Sequence, residues 1–467
     1  MKFVDNHTRA EDVKIAYIGG GSQGWARRLM SDLALDDAMN GSVYLYDIDF
    51  EAAKMNEAIG NMYTAKVESI GKWKYKAVET LKEAVLDADF VVISILPATF
   101  KEMGSDVHAP EKYGIYQSVG DTTGPGGILR ALRTIPMYKV IAEAIRDYCP
   151  KAWVINYTNP MTMCMSALYK FFPKIKAFGC CHEVFRTQTL LCEAYMEKYG
   201  EELERHAIST NVVGINHFTW ITEAHYGTTD LIGPYAEIAD KYYQTGFGKP
   251  DDNWLNSSFR CRNRVKFDLF KRFGAVAAAG DRHLAEFCPG KWYLENPDKV
   301  HEWEFGLTTI DWRIDSLKKA KERTQRILAG EEVLEFRESG EEGVMQMKAI
   351  LGLKPMVTNV NLPNIGQISN LPKGFIVETN ASFYSDSVKP IAAGDIPKGV
   401  ITLVERAAHN QELTVEAAIT GNYNLAFEAF ANDPLVTLSH YDAKNLFNEM
   451  LKNTKEYLPA YNDYLNK

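Results

Sequence analysis

Residues 14–24 read KIAYIGGGSQG: an apolar run, three consecutive glycines, and a fourth glycine three residues on. Gly19, Gly21 and Gly24 satisfy the spacing G-x-G-x-x-G. The first glycine permits a tight turn, the second lets backbone approach a diphosphate, and the third allows close helix–strand packing. Taken alone the motif is weak, and its context strengthens it. Hydrophobic spacing predicts a strand over 13–18, a helix from about Trp25 to Met39, and a second strand over 43–46 that ends at Asp47. A carboxylate at that strand end can bind a ribose diol and would repel a 2′-phosphate, which favours NAD over NADP. Gly19, Gly21, Ser22, Gln23, Gly24 and Asp47 are therefore the candidate cofactor residues. Asp49 is a competing carboxylate, and a glycine turn without a ligand is the plain alternative.

Outward from this turn the alternation continues. Helices are predicted over 50–59, 81–86 and 130–147, and strands over 90–96, 153–156 and 176–181. Pro97 stops one strand and Thr158-Asn159-Pro160 follows another. Strand–helix alternation of this kind predicts an α/β fold whose N-terminal half is a Rossmann-like, doubly wound parallel sheet. From about residue 183 the rhythm changes. Longer, more charged helices are predicted over 186–199 and 312–328, strands over 211–221 and 374–378, and a helical tail over 401–430. The expectation is an NAD-binding domain over 1–190 and a mixed α+β substrate, metal and oligomerisation domain over 191–467. The architecture would be that of the lactate and malate dehydrogenases.

Composition narrows the function classes. The 467 residues are 46% hydrophobic and 24% charged, which excludes collagen-like and disordered chains. A net charge of −9 argues against nucleic acid as a main partner. No run of about 18 apolar residues is present, so no membrane span is expected. The start MKFVDNHTRAEDVKI lacks the apolar stretch of a secretory signal. Seven cysteines, an odd number, then read as reduced thiols in a cytoplasmic protein.

Polar residues collect where strands should finish, and ligands of open parallel sheets bind at those carboxyl ends. Asn156 and Asn159 follow one strand, Cys181 and His182 another, and His217 sits in the apolar stretch GINHFTW. Cys181 and His217 form a plausible metal pair, although a buried thiol and a core histidine would look the same. Asp281, with Arg282 and His283 beside it, could supply a base and an anion contact, or merely a solvated loop with an ion pair. Gly120–Gly127 (GDTTGPGG) reads as a glycine-rich loop.

Five stretches in this order, KIAYIGGGSQGWAR, VGDTTGPGGILRALRTIP, INYTNPM, GCCHEVF and VVGINHFTW, resemble the family 4 glycoside hydrolases across nearly the whole chain. Those are the NAD-dependent exceptions among glycosidases. Cys181-His182-Glu183-Val184 is most similar to the α-galacturonidase group within that family. The resemblance implies Mn²⁺ held by Cys181 and His217, substrate contacts from Asn156 and Asn159, Asp281 as base and His182 as leaving-group acid. It implies cleavage of a terminal α-linked galacturonide by oxidation at C3, proton loss at C2, 1,2-elimination, water addition and re-reduction. Arg282 is the expected partner of the C6 carboxylate, with Arg130 and Arg133 as other cations nearby. An α-glucuronidase or α-galactosidase of the same family, an NAD-dependent 2-hydroxyacid dehydrogenase and a non-enzymatic NAD sensor are the alternatives. A small uronide or oligosaccharide is the expected partner, and a homodimer or homotetramer the expected assembly.

Overall fold

The computed structural model describes residues 1–248 and 260–465. Its strands are β1 (Lys2–Val4), β2 (Arg9–Ile18), β3 (Met39–Tyr46), β4 (Trp73–Val78), β5 (Phe90–Ile93), β6 (Trp153–Asn156), β7 (Lys176–Gly179), β8 (Ser209–Ile215), β9 (Phe218–Tyr226), β10 (Thr229–Asp230), β11 (Val276–Ala277), β12 (Met356–Pro363), β13 (Ile376–Tyr384) and β14 (Ser387–Pro390). Six of them, in the order β4-β3-β2-β5-β6-β7, run parallel. The chain winds outward from β2 to β4, then returns to β5 and winds the other way. The topological switch point therefore lies between β2 and β5, and a crevice opens there at the strand carboxyl ends. Helices cover both faces, so β5 and β6 are buried at every position and read as unbroken apolar runs. Large apolar clusters form on the two faces of the sheet.

The later half of the chain builds on this sheet as well as beside it. Beyond β7 the sheet continues antiparallel through β12, β13 and β14, with Asn361 opposite Gly179. With β1 on β2, this sheet has ten strands among the described residues. A second, antiparallel sheet of β8–β11 carries its own apolar cluster. No helix among the described residues is long and apolar enough to cross a membrane.

Several sequence expectations shift. The helix after the glycine turn ends at Ala34, because Met39 already pairs with Ala10 in the sheet. The strand expected over 211–221 is the hairpin β8–β9, with Asn216 and His217 as its turn. The glycine-rich loop is only half a loop: from Gly124 it is the first turn of a helix reaching Tyr148. The tail over 401–430 is two helices, Ile401–Thr420 and Tyr423–Ala431, divided at Gly421, whose φ of +65° ends the first. Strands β4 and β12 were not foreseen.

Candidate active site

The glycine turn is locked from three sides. The N–H groups of Gly19 and Gly20 both donate to the Tyr46 carbonyl at 2.9 Å. Gly19 has φ +93°, and a Cβ there would lie 2.0 Å from the Ser94 carbonyl oxygen at the end of the neighbouring β5, so only glycine fits. Buried Asn56 donates to the carbonyls of Gly20 (2.7 Å) and Ser22 (2.9 Å) and accepts from Arg27 Nε (3.1 Å). Nothing in the local sequence singled out Asn56. The close-packing role expected of Gly24 falls elsewhere: a Cβ on Gly24 would meet nothing within 4 Å, whereas one on Gly21 would lie 2.7 Å from Ala52 Cβ. Gly24 instead leaves open space at the N-terminus of the helix Trp25–Ala34.

Asp47 bends into this turn. Its Oδ2 accepts from Gly21 N–H (2.8 Å) and its Oδ1 from Asp49 N–H (2.9 Å). Asp49 is occupied as a helix cap, accepting from Ala52 N–H at 3.1 Å. Ser22 Oγ accepts from Trp25 N–H at 3.1 Å. Gln23 Oε1 accepts from Arg27 (2.6 Å) and from Thr324 Oγ1 (2.8 Å), which draws the helix Ile310–Leu328 against the turn.

The two asparagines after β6 differ. Asn156 is buried and spends its amide internally, accepting from the Tyr138 hydroxyl (2.5 Å) and Thr158 N–H (3.2 Å) and donating to the Thr158 carbonyl (3.1 Å). Asn159 Oδ1 is buried with no hydrogen-bond partner among the described residues, while its carbonyl accepts from Arg130 Nε at 2.9 Å. A buried carbonyl left unpaired is costly, so of the two asparagines only Asn159 keeps a free side-chain acceptor.

After β7, the Cys181 thiol is buried, and burial beside Glu378 and Glu183 pushes its pKa well up. Such a thiol ionises only against a strong local cation. Glu378 on β13 accepts from Asn216 Nδ2 (3.1 Å) and Asn359 Nδ2 (2.7 Å), and burial raises its pKa to about 7. His182 Nδ1 lies 3.2 Å from Glu341 Oε1. Burial pulls the His182 pKa down, but the Glu341 hydrogen bond and charge outweigh it and the net direction is up.

His217 occupies the β8–β9 turn with φ +63°, a left-handed conformation that a non-glycine residue adopts at a cost. Its Nδ1 lies 2.8 Å from Thr122 Oγ1, which donates in turn to Asp121 Oδ1 at 2.8 Å. In that arrangement Nδ1 carries the proton and Nε2 keeps its lone pair. The His283 ring packs on His217 with centroids 3.8 Å apart, and its Nδ1 is buried without a partner among the described residues. Asp121, His217 and His283 bring ligand atoms within 4.8 Å of one another. Burial, reinforced by the other histidine, lowers the His217 pKa to about 3; burial also lowers that of His283. Burial would raise Asp121, yet Arg130 and the two histidines hold it down at about 2. Two neutral imidazoles and a carboxylate form a set suited to a divalent cation. Cys181, the partner of His217 expected from sequence, is not in that 4.8 Å group. Asp121 and His283 are not among the metal ligands expected from sequence. The available signals were the Asp inside GDTTG and the His two residues past Asp281.

Asp281 starts the short helix Asp281–Phe287, and it too lies outside the group. Its Oδ1 accepts from Lys266 N–H at 3.1 Å, and its Oδ2 is buried without a partner among the described residues. Burial raises its pKa. Arg282 donates to the Ser118 carbonyl at 2.9 Å and meets the Thr308 hydroxyl. Arg133 is committed to a buried two-point pair with Asp106.

The "Family 4 glycosyl hydrolase" model matches residues 14–197, and the "Family 4 glycosyl hydrolase C-terminal domain" model matches 212–436. An alpha-galacturonidase of Thermoanaerobacterium saccharolyticum is 58% identical over 463 residues, covering 99% of each chain. A solved Bacillus subtilis structure, described as a glucosidase, superposes with a TM-score of 0.90 at 52% identity, covering 94% of this chain and 100% of that one. A 6-phospho-alpha-glucosidase from gut microorganisms, solved with NAD and Mn²⁺, shares the fold at a TM-score of 0.80 and 21% identity, over 96% of this chain and 99% of that one.

Proposed function

This chain belongs to the family 4 glycosyl hydrolases, and on that premise we propose that it removes terminal α-linked galacturonic acid. The observation that carries the reading is the group of Asp121, His217 and His283 with its orphaned imidazole nitrogen, in a chain 58% identical to an alpha-galacturonidase. Membership in a glycosidase family sets aside the dehydrogenase and sensor alternatives.

The residues fit both expected cofactors. The open space at Gly24 and the Asp47 carboxylate suit the diphosphate and ribose of NAD⁺. His217, Asp121 and His283 would hold Mn²⁺, with Cys181 joining from its buried position beside Asn216 and Glu378. When bound, NAD⁺ supplies a hydride acceptor and Mn²⁺ a Lewis acid beside the sugar hydroxyls.

The chain's own groups have distinct tasks. Asn159 Oδ1 accepts from a sugar hydroxyl, satisfying its orphaned lone pairs. His182, biased toward its protonated form by Glu341, donates a proton to the departing glycosidic oxygen. For the base at C2 we retain Asp281: its unpartnered Oδ2 and raised pKa suit a group that must take a proton from carbon. Arg282, bonded to Ser118 and Thr308, ties the loop before Asp121 to the segment that leads into the helix Ile310–Leu328. The seven free cysteines support a reducing, cytoplasmic setting, and we extend the reading to a homo-oligomer.

The test is turnover of nitrophenyl α-galacturonide in D₂O with NAD⁺, Mn²⁺ and a thiol reductant. Deuterium at C2 of the released sugar is expected. Full retention of the original hydrogen would overturn the elimination route, and faster turnover of the α-glucuronide or α-galactoside would overturn the sugar assignment.

A further inference from the structure

The helix Ile310–Leu328 is tied at its two ends to two different parts of the molecule. At its far end, Thr324 donates to Gln23 on the glycine turn. Residue 313 is eleven positions earlier: about 16 Å back along the axis and, at 100° per residue, within about 20° of the same face. The face that meets the cofactor turn therefore presents Arg313 at the opposite end. That end is fastened beside the metal-competent group. Thr308 N–H donates to the Ser118 carbonyl at 3.2 Å, the Thr308 hydroxyl meets Arg282, and Ile310 N–H donates to His108 Nε2 at 3.4 Å. Ser118 is three residues before Asp121.

The other arginines around Asp121 have protein partners: Arg133 pairs with Asp106, Arg130 holds the Asn159 carbonyl, and Arg282 holds Ser118 and Thr308. Arg313 shares an unpartnered, buried Nε with Arg133 and Arg282, and differs from them in that its side chain makes no hydrogen bond or ion pair among the described residues. Burial weakens its hold on its proton, and it feels the charges of Asp121, Arg130 and Glu286, which sets it among the groups of the site. A half-buried guanidinium without a hydrogen-bond partner, near enough to Asp121 to feel its charge, is free to take a planar anion at two points.

We propose that Arg313 binds the C6 carboxylate of the terminal sugar and is the residue through which the site selects a uronide over the neutral hexose. The inference rests on the galacturonide reading above. It moves the carboxylate contact expected at Arg282 to a different helix and leaves Arg282 as the tie between the loop at Ser118 and the segment at Thr308.

Arg313→Met and Arg313→Lys are compared with the wild type on nitrophenyl α-galacturonide and nitrophenyl α-galactoside. Binding of free galacturonate and free galactose to the NAD⁺- and Mn²⁺-loaded proteins is measured by calorimetry. The methionine variant should lose about 100-fold or more in kcat/KM on the galacturonide, chiefly through KM, as expected when one partner of a desolvated ion pair is removed. Its galactoside turnover and galactose affinity should stay within about threefold, and lysine should restore part of the loss. Equal loss on both sugars would show that Arg313 only supports the fold, and an unchanged galacturonide constant would show that it is idle; either overturns the assignment. A wild type with no preference for galacturonide or galacturonate would instead overturn the parent reading. Preference in the wild type that persists in Arg313→Met would refute Arg313 alone.

Discussion

Glu286 gives a sharp test of how the loop carrying Asp121 is held. Its side chain is 1% exposed, Oε1 accepts from Val119 N–H (2.7 Å) and Gly120 N–H (2.9 Å), and Oε2 is buried without a partner among the described residues. Burial is the largest influence and outweighs the two backbone donors, so its pKa rises from 4.5 to about 8. The folded chain thus keeps a proton that the unfolded chain releases. The stabilising contribution is complete below pH 4.5 and is lost as pH climbs through about 8. A shift from 4.5 to about 8, at about 1.4 kcal/mol per unit, corresponds to about 5 kcal/mol between the two limits. Glu286→Gln keeps an acceptor for Val119 and Gly120 and removes the titration. In urea unfolding of the metal-free protein followed by tryptophan fluorescence, the variant should gain on the wild type steadily from pH 5 to pH 8.5, by up to that amount. Parallel stability curves for the two proteins across that range would refute the reasoning, as would a variant that falls further behind at pH 8.5.

Asp47→Ala should weaken NAD⁺ binding by about 1.5–3 kcal/mol, the range of a hydrogen bond to a charged group, and narrow the gap to NADP⁺; calorimetric titration with both nucleotides measures it. Thr122→Val removes the group that orients His217 and should lower Mn²⁺ affinity about 10–100-fold without changing the melting midpoint greatly, as read by Mn²⁺ paramagnetic titration. Asp106→Asn leaves Arg133 buried without its carboxylate and should cost about 3–5 kcal/mol of stability, seen as a lower urea midpoint; a change below about 1 kcal/mol would show that the pair is not needed.

The amino-acid sequence by itself determined the glycine turn, the strand ending at Asp47 and the alternation that winds the parallel sheet. These depend on local rules: which residues tolerate left-handed backbone, and how apolar positions repeat along a strand or helix. Resemblance of short motifs added Asn159, His182 and His217, each within a few residues of a strand end. What lay beyond it was convergence. Thr122 meets His217 across 95 residues, Val119 meets Glu286 across 167, and Gln23 meets Thr324 across 301. Asn56 and Arg313 resemble any polar residue on an amphipathic helix until the fold shows what each faces. His217 looked like a residue inside a strand because Asn211 to Ile221 is apolar on both sides of it; only the hairpin, with His217 at φ +63°, turns its ring toward Asp121 and His283. Periodicity specifies which face of an element is buried, but not which distant element will cover it. Tertiary packing decided that, and with it the donor set around His217 and the idle guanidinium of Arg313.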